Sequence, residues 1–360
     1  MTGGDDTLEA ALATALDSRE TVAFVHAGSV RDPAIRYCLS SAEPSALGDQ
    51  LRSVGSVALA FDGTDWVVEW SDRSAGRAAA TLASRLADRL GPGTVHTPAR
   101  IPHDAALYLE QAGFSLTSTD VVERTRATKM DTEREAVADS QTAAGAGIRR
   151  AAAVLADATI ADGRLVADDA AVTPGRLRRA VDEAIVAAGG VPGANTSIAA
   201  PEGDAALEPG SPIVVATAPR GRSGYHGGLV RTLVVDSEGG TERRAHVAVT
   251  QAFRSVQSML TAATESVTAV EADLEAEIRG FGFPDEPVET RVAGVGLEPA
   301  ERPRGGGDEV GPGSLVRIEA AVEFDPDRWI RLADVLAVRE REVAWLDAPS
   351  RSIEPTAVLE

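Results

Sequence analysis

The stretch GSPIVVATAPRGRSGYHGGLVRT, Gly210 to Thr232, reads as a β-hairpin whose returning strand starts bare. An apolar, β-branched run follows Pro212, the turn is rich in Gly, Arg and Ser, and Leu229 to Thr232 suits a strand again. Between turn and strand stand Gly227 and Gly228, which weaken a strand and fill no space. A second stretch, GSLVRIEAA from Gly313, opens in the same way. Superposing Gly210 on Gly313 sets Ala216 opposite Glu319, each six residues on, and sets Gly228 roughly against Ala333 in RLADVLAV.

The repeat extends outward from the two hairpins. Before the first, a helical pattern covers about residues 129–158, and another starts at Pro174 with Thr173 as N-cap and stops before Gly189. Before the second, TERRAHVAVTQAFRSVQSMLTAAT and TAVEADLEAEIR read as helices, the latter ending at Gly280. Each half is therefore expected to run α-α-β-β. Residues 1–125 differ: short apolar runs (TVAFVHA, SVALAF, DWVVEW) alternate with helical patterns, which predicts a small α/β domain joined to a second domain at 126–360.

Composition narrows the function classes. Asp plus Glu outnumber Lys plus Arg by 55 to 35, a net charge of −20, and Lys129 is the sole lysine. Such a surface repels phosphate backbones, so nucleic-acid binding is not expected. Acid-rich, lysine-poor usage suits a salt-adapted protein whose carboxylates stay solvated at high ionic strength. No apolar run reaches the length of a membrane span, and MTGGDDTLEAAL carries acids where a secretory signal would be basic, so a cytoplasmic location is expected. Cys38 is the only cysteine, which excludes an intrachain disulfide.

Several segments resemble, in order and spacing, the pita-bread family of methionine aminopeptidase, Xaa-Pro aminopeptidase, prolidase and creatinase. DPAIRYCLS is similar to the family's extended NIRYLTG segment, and ERTRATKMDTEREAV to its interdomain linker. The opening stretch is similar to GDLVLIDLGARYNGYCSDITRT, VAGVGLEPAERP to GHGIGLxxHExP, and VGPGSLVRIEAAV to LxPGMVxTIEPGV. The resemblance implies an α+β chain: a C-terminal pita-bread domain of two pseudo-two-fold α-α-β-β halves, preceded by a creatinase-like α/β domain.

Active members hold two divalent metals with two aspartates, a histidine and two glutamates, and the metals activate a water and polarise the scissile carbonyl. Carried over by position, the first aspartate falls on Ala216, or on Thr217 if the hairpins differ by one residue before it. The second falls on Gly228, the histidine on Ala293, and the glutamates on Glu319 and Ala333. The second histidine of GHGIGLxxHExP is matched by Ala300, with Glu301 and Pro303 retained, and no histidine lies between His103 and His226. One carboxylate cannot hold a divalent cation, so no metal and no other cofactor is expected.

His226 shares strand parity with Gly228, so one reading makes it an acid or base oriented by Glu319; the other makes it a hairpin-corner residue partly open to water. Glu319 is expected either to pair with an arginine such as Arg231 or Arg317, or to sit neutral. Asp334 should face away from the site. Tyr225, Arg231 and Glu301 are candidate cleft residues. Arg220 and Arg222 are expected to pair with neighbouring acids, and His246 to lie on the surface. His26, His96 and His103 are read as structural.

Three functions fit. The first is a catalytically degenerate homologue of Xaa-Pro peptidases that keeps its cleft for a peptide, a small molecule or a protein partner. The resemblance offers precedent in the peptidase-like domain of a histone-chaperone subunit and in a growth-factor-receptor-binding protein. The second is an unorthodox Xaa-Pro peptidase or a metal-independent, creatinase-like hydrolase using His226 and Glu319. The third is a structural subunit. Active relatives dimerise through the N-terminal domain, so a homodimer, or a heterodimer with an active paralogue, is expected.

Overall fold

The computed structural model describes residues 7–17, 21–43 and 55–360; the acidic opening, residues 1–6, lies outside them. Contacts divide the chain into two units, Met1–Arg126 and Ala127–Glu360.

The first unit contains α1 (Leu8–Asp17), β1 (Ala23–Ser29), α2 (Pro33–Ala42), β2 (Ser56–Phe61), β3 (Trp66–Ser71), α3 (Ala75–Leu90), β4 (Thr94–Pro98), α4 (His103–Gln111) and β5 (Ser115–Thr119). Its sheet runs β3-β2-β1-β4-β5, antiparallel on one side of β1 and parallel on the other. The apolar faces of α3 and α4 close its core over Val25, Ala60 and Val95. The segment DPAIRYCLS, expected to be extended, is helical instead. Asp32 accepts from the N–H groups of Ala34 and Ile35, and Pro33 takes the first helical position, where its missing N–H costs nothing. Cys38, on that helix, is fully buried, and burial pushes its thiol pKa up, so it packs as a small hydrophobe.

His26 on β1 is 3% exposed, and its Nε2 is buried with no hydrogen-bond partner among the described residues. Burial lowers its pKa to about 4, against a small raising effect of Asp32. The unfolded chain then takes up a proton that the folded chain refuses, so stability falls as pH drops from about 6.5 towards 4. We expect His26→Leu to remove roughly 3 kcal/mol of that acid loss. Urea titrations of both proteins at pH 7.5 and 4.5 check this, and parallel pH profiles would contradict it.

The helix α5 (Val121–Ala127) leads to the second unit. Its first half holds α6 (Asp131–Ala156), the small sheet β6 (Thr159–Ala161), β7 (Arg164–Ala167) and β8 (Ala170–Ala171), then α7 (Pro174–Ala187), β9 (Thr196–Ala199), β10 (Ile213–Thr217) and β11 (Leu229–Leu233). The second half holds α8 (Thr241–Ala262), β12 (Glu265–Ser266), α9 (Val267–Gly280), β13 (Val288–Gly294), β14 (Glu309–Val310), β15 (Leu315–Asp325), β16 (Arg328–Val338) and β17 (Val343–Trp345). The caps follow the sequence. Thr173 accepts from the Arg176 N–H at 3.3 Å, and Gly189 past the end of α7 takes φ +85°.

One antiparallel sheet, β13-β15-β16-β11-β10-β9 with β17 on β16, joins the halves. Helices α6 and α7 cover one face of β10 and β11 through Ile148, Leu177, Val181 and Val215, while α8 and α9 cover β15 and β16 through Phe253, Leu274, Ile318 and Leu332. Alternate residues point the other way. No helix is long and apolar enough to cross a membrane among the described residues.

Candidate functional site

The register puts the candidate positions on one face. Ala216 pairs with Val230, Val230 with Ala333, Ala333 with Glu319, and Glu319 with Arg291, while Ala293 pairs with Arg317. Directly opposed residues share a face, as do residues two apart. Ala216, Gly228, Ala293, Glu319 and Ala333 therefore lie together on the face opposite the α8–α9 core, and α6 reaches that face at Val137, which packs with Leu315, Val335 and Ala337. Thr217 points to the other face, where its hydroxyl lies 3.3 Å from that of Thr196. By register the counterpart of Ala333 is Val230, and Gly228 lies one same-face step beyond it.

The two glycines have separate causes. A Cβ on Gly227 would come within 2.7 Å of the backbone of Ser140 and Gln141, so the strand entrance can lie against α6 only without one. The Gly228 N–H donates to Gln141 Oε1 at 2.9 Å. A Cβ on Gly228 would meet Arg317 Cδ at 2.9 Å: the arginine stem occupies the space that a side chain there would claim.

Arg317 and Arg331 hold Glu319 between them. Arg317 Nη2 donates to Oε2 at 2.5 Å and Arg331 Nη1 to Oε1 at 2.8 Å, with Arg331 also paired to Glu289. Burial lowers the Arg317 pKa, Glu319 opposes this, and Arg291 and Arg331 lower it further by like-charge repulsion. For Arg331, burial works against the charge, but Glu319 and Glu289 outweigh it and raise the pKa. This donor set does not fit a pair of divalent cations. The lone carboxylate is taken by two guanidinium groups, and those groups would repel a metal. Among the described residues no group of three or more His, Cys, Asp or Glu side chains is placed to hold an ion.

The other sequence candidates separate. His226 is 8% exposed rather than open to water; its Nδ1 lies 3.2 Å from the Ala218 carbonyl and its N–H donates to the Gly296 carbonyl. Glu319 has both oxygens on arginines, so it does not orient His226. Arg231 is neither Glu319's partner nor a cleft residue: it is fully buried on the helix-covered face, bonded to Asp334 at 2.7 Å. Asp334 faces away from the site, towards Arg231 and Arg351. Glu301 is 5% exposed and accepts from Lys129 Nζ at 2.7 Å, so its carboxylate serves packing rather than the cleft. The Tyr225 hydroxyl donates to Glu133 Oε1 at 2.9 Å, and burial raises the Glu133 pKa.

Arg220 and Arg222 have no ion-pair partner among the described residues, contrary to the pairing expected of them. His246 is half-buried, with Nε2 2.6 Å from the Arg351 carbonyl, rather than a plain surface residue. The residues missed from the sequence are Arg331 and Arg291. Strand alternation places Arg331 beside Ala333 on the site face, and only the β13–β15 register brings Arg291 opposite Glu319.

A model of metallopeptidase family M24 matches residues 135–340. Among solved structures, the prolidase from Pyrococcus furiosus superposes with TM-score 0.73 at 17% identity, over 94% of this chain and 100% of that one. The Xaa-Pro dipeptidase from Bacillus anthracis gives 0.76 at 14% identity, over 96% and 98%. The N-terminal domain of the FACT complex subunit SPT16 from chickpea gives 0.69 at 14% identity, over 97% and 98%. No curated protein matches the chain by sequence. At these identities the neighbours speak for the fold, which is the pita-bread arrangement of two α-α-β-β halves behind an α/β domain.

Proposed function

Because the chain belongs to metallopeptidase family M24, we propose that it is a cytoplasmic, Xaa-Pro-peptidase-like member that has given up metal-dependent hydrolysis and uses the sheet face around Glu319 to bind a ligand. One observation carries this reading. Arg317 lies across Gly228 and grips Glu319, so a fixed organic cation stands where the resemblance implies metal ions. A site of this kind can bind and orient, but it lacks the donors that generate a metal-bound nucleophile. The neighbouring SPT16 domain belongs to a subunit of a complex, which is consistent with such a role. The metal-free alternative loses support because His226 and Glu319 are bonded to other groups.

The test is direct. The purified chain is dialysed against manganese, cobalt and zinc in turn, its metal content is measured, and Ala-Pro and Gly-Pro hydrolysis is followed. We expect well under one tightly held ion per chain, and turnover at the level of a blank. Two retained ions with turnover would overturn the reading.

A further inference from the structure

The outer helices of the second half sort their charges by helix. On α8 the exposed side chains include Arg243, Arg244 and Arg254, and the one acid of that helix, Glu242, is buried and bonded to Ser237. On α9, packed beside it, Glu271, Asp273, Glu275 and Glu277 stand with a single base, Arg279, which is paired to Glu275. The three α8 arginines have no ion-pair partner among the described residues, and neither have Asp273 and Glu277; the acids of the flanking loops, Glu238, Asp285 and Glu286, make no ion pair with the α8 arginines either. Arg244 lies over the Phe283 ring at 5.5 Å, so the start of α8 stands beside the end of α9, where Val247 and Phe281 are each 41% exposed. Helical spacing sets Arg243, Val247 and Arg254 on one stripe of α8. On α9 it turns Ala272 and Ala276 outward, with Glu271 and Glu275 on one side of them and Asp273 and Glu277 on the other.

We infer that the α8–α9 face is a docking surface for a second copy of this chain. The charge pattern names the occupant, because one copy of the surface complements another: about a two-fold axis, the arginine stripe of each α8 meets the acid-flanked alanines of the other copy's α9. The small alanines let Val247 come close, and the carboxylates on either side take the guanidinium groups, whose directed N–H donors suit them. Arginines set around exposed apolar side chains are also what interfaces favour. The two helices cover the sheet from the side opposite Glu319, so this pairing leaves the face around Glu319 open.

The experiment measures the molar mass of the full chain in solution, by light scattering and sedimentation over a concentration series at matched ionic strength. The wild type should be a dimer. Two doubly substituted variants separate this surface from any other. Arg243→Glu with Arg254→Glu makes both helices acidic, and Glu275→Arg with Glu277→Arg makes both basic. Each variant alone should self-associate about a hundredfold more weakly, because like charges then face each other. Mixed one to one, the two should regain the wild-type mass as a heterodimer, since every acidic helix then meets a basic one. A monomeric wild type, variants that dimerise as the wild type does, or a mixture that stays monomeric would overturn the inference, the second outcome placing self-association on a different surface.

Discussion

Replacing Asp334 with alanine should destabilise the protein by about 3–5 kcal/mol, because it strands a buried guanidinium. Arg231 is 0% exposed, and its other donors go to main-chain oxygens: Nε to Ser350, Nη1 to Val230 and Ala333, Nη2 to Pro349, at 2.8 to 3.1 Å. Among the described residues Asp334 supplies the one anion bonded to it, through Oδ1 at 2.7 Å. The other carboxylate oxygen accepts from Arg351 Nε at 2.5 Å, and the Arg351 guanidinium lies over the rings of Phe253 and Trp345. The cluster thus ties β11 and β16 to residues 349–351. Asp334→Asn keeps an acceptor and should cost less than Asp334→Ala. The double change Arg231→Met with Asp334→Leu should recover much of the loss, since apolar isosteres of a buried pair are often neutral. Urea denaturation of the four proteins measures this. A loss below about 1 kcal/mol for Asp334→Ala would show that the pair contributes no more than an exposed one.

The second large effect is expected at Lys129. The sole lysine of the chain is 2% exposed, anchored by its N–H to the Gly313 carbonyl and by Nζ to Glu301. Gly296 lies against the pair so closely that a Cβ there would fall 2.2 Å from Glu301 Oε1 and 3.0 Å from Lys129 Cε. Lys129→Met removes the buried ammonium that is bonded to Glu301 and that offsets the charge of Glu133, and should cost about 3–5 kcal/mol. Adding Glu301→Leu should restore most of it. Amine-reactive labelling gives a second readout, since the Nζ is reachable only when this region opens. Modification of Lys129 in the wild type should be slow and should accelerate in urea in step with unfolding. Rapid labelling under native conditions would contradict the burial.

Parts of this molecule follow from short-range rules. Thr173 and Pro174 start a helix because a hydroxyl can take an orphan N–H and a proline lacks one, and both stand where α7 begins. The same rules, applied to Asp32 and Pro33, foretell the helix α2, and comparison with an extended family segment obscured them. The pairing of Ala216 with Glu319 by hairpin offset needed only strand alternation and a repeated Gly-Ser start. The partner of Glu319 needed more. Arg231 and Arg317 are both near it in kind, but they stand on opposite faces of the sheet, and the choice between them depends on register across β11, β16 and β15.

The amino-acid sequence by itself determined the two α-α-β-β halves and the positions that share a face with Glu319, because helix caps and strand alternation act over a few residues. Only the tertiary structure decided what those positions hold. The space beside Gly228 is filled by a side chain that is 89 positions away along the chain, and Glu319, though Arg291 lies opposite it, is bonded to Arg317 and Arg331. Side-chain direction and charge pairing between distant strands are fixed by packing, which no local stretch of sequence encodes.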